Sequence, residues 1–241
     1  MSINDRIPMP SSKAEQDAMI KGLLYEHAVE EELRRRKKPE YQHDYALIDD
    51  MIEEIRQLGY NVKYYTDIIS YSIIRTEIVE VILKYIDRFE NRGFTAELVS
   101  SIGNKNNKHI TARIIELYNS EYSDFDVKNQ RPHLSVFFDN AFNRLKDKRY
   151  IDDYIGWLAD PEIAVLLPVT MYMLARWKLP EAQELFIRYL DYEDNDSIVT
   201  LSIKALSYYK DEESKELIRS MQESENAKIS EFARLVYAKM K

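Results

Sequence analysis

The sequence lacks cysteine altogether, and its 241 residues include only 5 glycines, 7 prolines and 4 histidines. The absence of cysteine excludes disulfide scaffolds, thiolate zinc sites, cysteine nucleophiles and iron–sulfur clusters. Glycine and proline are too scarce for a β-sandwich or β-barrel, which needs a turn about every 8–12 residues. We therefore expect an all-α protein of one or two domains.

Long apolar runs are also missing from the chain. The most apolar stretch, residues 163–175, is interrupted by Pro168 and Thr170 and is shorter than the ~20 residues that a membrane-spanning helix needs. Residues 1–13 carry charges and two prolines but no apolar stretch, so this N-terminus, which we expect to be flexible, does not fit a secretory signal. These absences favour a cytoplasmic protein without membrane contact.

Negative charge is in excess, and it is concentrated towards the C-terminus. The formal net charge is −8, and residues 151–241 hold 11 lysines and arginines against 17 aspartates and glutamates. Neutralisation of phosphates supplies most of the non-specific affinity for nucleic acids, and anionic membranes attract basic surfaces in the same way. We therefore expect neither a nucleic acid nor a membrane as the partner.

Residues 14–93 show the apolar spacing of N-terminal helical hairpins. Helices are predicted over residues 12–38, 41–58 and 76–91. We interpret the tyrosine-rich stretch 60–75 as a loop and a short helix capped at Thr66–Asp67, with a short strand as the alternative.

A repeat occupies residues 94–241. Three segments align without gaps, at residues 98–110, 186–198 and 217–229, and a fourth at 154–163 aligns if its turn is shorter. Each segment has apolar residues at its first, second, fifth and last positions and a polar turn that caps the next helix. The turns are centred on Asn107, Asp160, Asn195 and Asn226. The last three follow one another at intervals of 35 and 31 residues, which is typical of helical-hairpin arrays.

Two of these stretches, LADPEI at 158–163 and SIKAL at 202–206, resemble HEAT repeats. The resemblance covers residues 150–241 well and 94–120 moderately, and it implies a right-handed α–α superhelix in which residues 94–241 continue residues 14–93 as one solenoid. The chain departs from the family at one position. The arginine that commonly follows the turn is replaced by Thr111, Ala164, Val199 and Ser230. The usual arginine ladder is therefore missing, and the repeats are divergent.

No set of residues in the sequence has the spacing of a catalytic or metal site. Glu40 and His43 have the Glu-x-x-His spacing of a di-iron bundle, but the second copy of that motif is missing. The acidic turn at residues 191–196 lacks the glycine and the final glutamate of a calcium loop. We therefore predict no catalytic residue, no metal and no cofactor, and we lean towards a protein that is not an enzyme.

The resemblance nominates a binding surface, because in HEAT-like arrays the second helix of each pair lines the concave side. Here these helices lie near residues 107–119, 161–176, 196–209 and 227–240. Their outward positions are apolar at the centre and mixed at the rim, which is typical of a protein-binding patch. The candidate partner-binding residues are Val165, Val169, Tyr172, Lys204, Tyr208 and Arg234. The alternative is that helix 161–176 is simply buried on both of its apolar faces.

Two functions remain open at this point. The leading hypothesis is a non-enzymatic HEAT-like scaffold, monomeric or weakly self-associating, that binds a protein or peptide on its concave face. The alternative is a HEAT-like alkylpurine DNA glycosylase or another DNA-binding protein, since those enzymes resemble this chain in length and helical pairing. They use a basic concave surface with tryptophans and an aspartate, whereas no basic column connects Trp157 and Trp177 in this sequence.

Overall fold

A computed structural model of the chain describes residues 12–70, 75–123, 132–192 and 194–240, and within these ranges it contains helices and no strand. Contacts between Cα atoms divide the chain into two compact units, unit 1 (Met1–Ser101) and unit 2 (Ile102–Lys241). Fourteen α-helices lie in the described ranges. They are α1 (Lys13–Arg35), α2 (Gln42–Gln57), α3 (Tyr65–Ile69), α4 (Thr76–Tyr85), α5 (Arg92–Ile102), α6 (Thr111–Leu117), α7 (Pro132–Leu145), α8 (Ile151–Leu158), α9 (Pro161–Ala164), α10 (Pro168–Trp177), α11 (Pro180–Arg188), α12 (Asp196–Leu206), α13 (Glu212–Ser220) and α14 (Ala227–Ala238). The all-α prediction is confirmed.

The core of unit 1 forms around one aromatic ring. The apolar stripe predicted for α2 is buried, and α2 packs against α4. The Phe94 ring lies within about 5–6 Å of four other rings, mostly edge to face, an arrangement that stabilises aromatic clusters. These rings belong to Tyr41, Tyr45, Tyr65 and Phe89.

Helix α1 differs from its predicted packing. Ile20, Leu23 and Leu24 have the spacing of a core stripe, but their side chains are 50, 55 and 63% exposed. The contacts of α1 with the rest of unit 1 lie further along the helix, where Tyr25 bonds Asp67 and Glu32 is fully buried. Spacing shows which residues share a helix face, but it does not show that the face is covered.

The stretch 60–75 contains a short helix, as predicted, but its cap differs. Helix α3 starts at Tyr65, and its N-cap is Tyr64 instead of Thr66. The Asp67 carboxylate accepts hydrogen bonds from the backbone N–H groups of Lys63 and Tyr64, so the acid lies inside the first turn and bonds backwards. The alternative of a short strand does not occur in the described residues 60–70 and 75, and residues 71–74 lie outside the described part.

Unit 2 contains two successions of helices. In the first, α7 packs on α10, α10 on α12, and α12 on α14. In the second, α8 packs on α11, and Gln183 of α11 donates to Asp211 and Ser214 at the start of α13. The aromatic core of unit 2 includes Tyr118, Phe138, Phe142, Tyr154 and Trp157.

The predicted helix 161–176 is two helices in the structure. Helix α9 ends at Ala164, the chain turns through the buried Leu167, and α10 starts at Pro168. Proline has no N–H for a helical hydrogen bond and is tolerated at the first position of a helix. Pro168 therefore starts a new helix where the periodic pattern alone predicts a continuous one.

The predicted caps at three of the four repeat turns are confirmed. The side chains of Asp160, Asn195 and Asn226 each accept a hydrogen bond from a backbone N–H in the first turn of the next helix. The fourth turn differs, because Asn104 makes this bond and Asn107 is buried, with its Nδ2 donating to the Ile102 carbonyl.

Polar links between neighbouring hairpins also recur in unit 2, although the arginine ladder is missing. Tyr189 donates to the Leu158 carbonyl and Tyr209 to the Leu179 carbonyl, across 31 and 30 residues. Asn226 donates to Asp196 across 30 residues, at 2.7 Å. Side chains other than arginine therefore connect successive turns.

Three lysines in unit 2 adopt left-handed backbone conformations. Lys146, Lys178 and Lys210 have φ of 49°, 56° and 62°, and they follow α7, α10 and the turn after α12 at equal intervals of 32 residues. Glycine is the usual residue at such helix ends, since this conformation costs other residues about 1–2 kcal/mol. In unit 1 the corresponding residue after α2 is Gly59, with φ of 90°.

One sequence prediction concerns a segment that is only partly described. The N-terminus, expected to be flexible over residues 1–13, lies outside the described part up to residue 11, and a second gap in the described part begins after residue 123. Before that point, residues Tyr118–Tyr122 form a π-helical turn. No helix in the described ranges is both long and apolar enough to cross a bilayer.

Candidate partner-binding face

Four side chains lie together on the solvent-facing sides of α10 and α12. Three of them are predicted binding residues, and the fourth is Arg176. Tyr172 and Arg176 lie one turn apart on α10, and Lys204 and Tyr208 lie one turn apart on α12 and the turn that follows it. Residues four apart on a helix share a face, and α10 packs directly against α12. We call these four residues the tyrosine–cation cluster.

Tyr208 is the centre of this cluster. The Arg176 guanidinium carbon lies 4.9 Å from the centroid of its ring, and the Lys204 ammonium lies 5.2 Å from it. Arg176 Nη2 also donates to the Tyr208 hydroxyl at 3.3 Å. The Tyr172 ring is 6.0 Å away, tilted by 54°. A cation within about 6 Å of an aromatic face is attracted to it, so the ring holds two positive charges at the surface.

Neither Arg176 nor Lys204 forms an ion pair with an Asp or Glu in the part of the chain that the structure describes. Tyr172 is half-buried, and burial raises the pKa of its hydroxyl to about 12, with a smaller contribution from Tyr208. The cluster therefore presents two cations and, at neutral pH, an uncharged Tyr172 hydroxyl.

The other three predicted residues make no ring or cation contact with Tyr208 in the described part of the chain. Val165 follows the last residue of α9 and Val169 lies in the first turn of α10, and both are half-buried. Arg234 is exposed, and its Nη2 donates to the Gln222 carbonyl in the turn before α14. The structure thus brings together Tyr172, Lys204 and Tyr208, and it adds Arg176.

The neighbouring residue Leu235 extends the same surface. It is 57% exposed, and it lines a groove of about 370 Å³ between α12 and α14 with Thr200, Lys228, Glu231 and Phe232. Leu235 lies 31 residues after Lys204, which lies 32 residues after Tyr172, so these three residues occupy matching positions on successive helices. The candidate predicted on this helix is the adjacent Arg234, and the residue that lines the groove is Leu235.

Sequence reasoning missed a set of basic residues at the helix ends, which we call the basic band. The last turns of α7, α10 and α12 contain Arg144, Arg176 and Lys204, and no acidic residue lies in those turns. The three left-handed lysines follow these helices and are exposed. Their spacing of 32 residues is visible in the sequence and could have indicated the band.

A buried carboxylate fixes the start of α10. The Asp139 side chain on α7 is fully buried and accepts hydrogen bonds from the backbone N–H groups of Val169 and Thr170, at 2.8 and 2.7 Å. Burial raises the pKa of Asp139 to about 6, although these hydrogen bonds favour the charged form. Asp139 therefore orients the helix that carries Tyr172 and Arg176.

The acidic turn at 191–196 lines a different groove. Asp191, Asp196, Glu223 and Glu225 border a space of about 490 Å³, and Asp196 accepts a hydrogen bond from Asn226. In the described ranges no group of three or more His, Asp or Glu side chains is placed to hold a metal ion. The described histidines His27, His43 and His109 are exposed.

The two tryptophans occupy different environments. Trp157 is 8% exposed and donates from its indole to Asn119 at 2.6 Å. Trp177 is half-buried, with the Lys148 ammonium 5.3 Å from its ring. Trp157 thus belongs to the aromatic core, and Trp177 lies at the edge of the basic band.

Comparison with known proteins adds no family to this picture. Searches against protein-family models, curated proteins and solved structures found no significant match to the chain.

Proposed function

We propose that the protein is a non-enzymatic scaffold of divergent HEAT-like repeats that binds a protein or peptide partner. The partner-binding face consists of the solvent-facing sides of α7, α10, α12 and α14. We take this face as the concave side of a right-handed α–α superhelix. The scaffold acts in the cytoplasm as a monomer or weak homo-oligomer.

Three recurrences support the repeat architecture. The helices of this face pack in chain order, the left-handed lysines recur every 32 residues, and polar links span 30 or 31 residues. Contacts at a fixed sequence interval are characteristic of arrays in which each repeat touches its neighbours.

The tyrosine–cation cluster is the observation that carries the binding function. Tyrosine and arginine are the residue types most enriched at the centres of protein interfaces. Here two tyrosines and an arginine lie together with a lysine on a helical surface. Exposed Leu235 lies at the matching position on the next helix, and it adds an apolar element to the polar rim.

Partner isolation followed by direct binding tests this function. A partner is purified from native extract with the wild-type chain and then titrated, as a purified protein, against Tyr172→Ala and Lys204→Glu. We expect both variants to lose at least about tenfold in affinity. Glu184→Ala, an exposed change on α11, is the matched control and keeps wild-type affinity.

The fold of each variant is checked by thermal unfolding, and Lys204→Glu keeps the test valid if Tyr172→Ala is unstable. A specific partner that binds all three variants as tightly as the wild type would show that this face is not the binding surface.

A further inference from the structure

The charge and aromatic pattern of the face points to one kind of occupant. We propose that the face binds an extended acidic segment of a partner protein, with its carboxylates on Arg176 and Lys204 and an apolar side chain in the groove at Leu235. This inference rests on the proposed function and names the chemistry of the partner.

Arg176 has hydrogen-bonding capacity to spare. Within the described residues its guanidinium donates one hydrogen bond, from Nη2 to the Tyr208 hydroxyl, while a guanidinium carries five N–H donors. The planar fork matches a carboxylate, which can accept two parallel bonds from it. Lys204 lies on the same ring and adds a second positive charge. Because the ring holds both cations in place, less side-chain freedom is lost when an anion binds.

The left-handed lysines extend the positive charge along the repeat. Lys146, Lys178 and Lys210 occupy positions where glycine would fit the backbone better, yet each is a lysine with an exposed side chain. A cation at a helix end also interacts favourably with the helix dipole. A lysine-to-glycine change separates these roles, since it removes the charge and relieves the backbone at the same time.

An acidic peptide fits this surface better than a nucleic acid does. A nucleic acid requires many neutralised phosphates, whereas the tyrosine–cation cluster offers two cations, Arg176 and Lys204. Tyr172 and Tyr208 are half-buried and contact each other, so they do not form an open stacking platform for bases. The groove of Thr200, Phe232 and Leu235 takes an apolar side chain, which a peptide supplies beside its acidic residues.

The test uses defined peptides and the full chain. Fluorescence anisotropy measures the binding of a fluorescein-labelled peptide that alternates glutamate and leucine, a matched peptide that alternates lysine and leucine, and a labelled single-stranded oligothymidine. We expect the wild type to bind the acidic peptide, to bind it more weakly as salt rises, and to bind the other two at least about tenfold more weakly.

Variants then locate the binding. The double change Arg176→Ala with Lys204→Ala lowers the affinity for the acidic peptide at least about tenfold, and Lys178→Gly lowers it several-fold while the protein stays folded. Leu235→Ser weakens the leucine-containing peptide more than a peptide of alternating glutamate and serine. The matched control Arg219→Ala removes an exposed arginine on α13 and leaves binding unchanged.

Each other outcome counts against the proposal. Loss of affinity in Arg219→Ala equal to that in the double variant would mean that only overall charge matters. Tighter binding of the oligothymidine would replace the peptide by a nucleic acid. A natural partner that depends on Tyr172, together with no binding of the acidic peptide, would overturn this inference and leave the proposed function standing. A natural partner that ignores the face would overturn both.

Discussion

In both units a buried carboxylate accepts hydrogen bonds from the start of a helix that is distant in sequence. The two carboxylates differ in their other partners. In unit 1 the fully buried Glu32 accepts bonds from the backbone N–H groups of Tyr65 and Thr66, and it also pairs with Arg36 at 3.0 Å. In unit 2 Asp139 accepts two backbone bonds in the same way, but no ion pair of Asp139 occurs among the described residues. The comparison separates a buried acid that pairs with a cation from a buried acid that has no cation partner among the described residues.

A second contrast lies at the helix ends. Unit 1 ends α2 with Gly59 in the left-handed conformation, whereas unit 2 uses lysine at three such positions. Unit 1 therefore follows the usual rule that glycine occupies this position after a helix, and unit 2 departs from it after α7, α10 and α12. The departure places a lysine at the same point of three successive repeats.

The largest expected effect comes from removing the paired acid. Glu32→Ala leaves two backbone N–H groups, the Thr66 hydroxyl and Arg36 without this partner, and breaking a buried pair in this way costs about 3–5 kcal/mol. Urea unfolding should show this loss, with early hydrogen exchange at the amides of Tyr65 and Thr66. Glu30→Ala, two residues away and exposed, is the control and changes stability by less than about 0.5 kcal/mol. A loss below about 1 kcal/mol for Glu32→Ala would mean that water replaces the carboxylate.

We expect a smaller effect from Asp139, the buried acid without an ion pair among the described residues. This effect is a dependence of the free energy of unfolding on pH. The folded-state pKa of Asp139 is about 6, and its unfolded value is about 3.9. Between these values the folded chain binds a proton that the unfolded chain releases, so the contribution of Asp139 to stability is present at low pH and is lost as the pH rises through about 6. From pH 5 to pH 7.5 this loss amounts to about 1 kcal/mol.

Asp139→Asn removes that titration. Unfolding free energies of both proteins at pH 5 and pH 7.5 give the comparison, and the wild type should lose about 1 kcal/mol more than the variant between the two values. Equal pH profiles for the two proteins would show that Asp139 titrates as an ordinary carboxyl group.

The smallest expected effect on stability comes from exchanging lysine and glycine at the left-handed helix ends of the two units. Lys178→Gly relieves a left-handed lysine and should raise stability by about 1 kcal/mol or less, while Gly59→Lys imposes one and should lower it by a similar amount. Thermal unfolding measures both shifts. If Lys178→Gly is instead destabilising, the lysine side chain makes a structural contribution that outweighs the backbone cost.

The fold could be predicted from the sequence wherever local patterns decide it. Helix α2 and the caps at Asp160, Asn195 and Asn226 follow from apolar spacing and from side chains that bond the nearest backbone groups. The sequence could not predict contacts between residues that are distant along the chain. Glu32 and Asp139 reach helices about 30 residues further along the chain, and no local pattern indicates their targets.

The candidate face shows the same division. Tyr172 and Lys204 could be nominated from their positions within the repeat, and Tyr208 from the enrichment of tyrosine at protein interfaces. Arg176 escaped the nomination because its role depends on the Tyr208 ring of the next helix, which the offsets of a single helix do not show. The outward positions of the last repeat include both Arg234 and Leu235, which lie about 100° apart around the helix axis, so spacing alone does not decide that Leu235 lines the groove.

Helix α3 carries a consequence for the order in which the chain folds. It has five residues, fewer than the ~12–15 that a helix needs to persist by itself in water. Its first free N–H groups are held by Glu32, more than 30 residues earlier. During synthesis Glu32 and Arg36 leave the ribosome before Tyr65. The residues that bind the start of α3 are therefore present before α3 can form. The short helix is therefore a late product of docking, and a chain that starts after residue 36 would contain the α3 sequence without the helix.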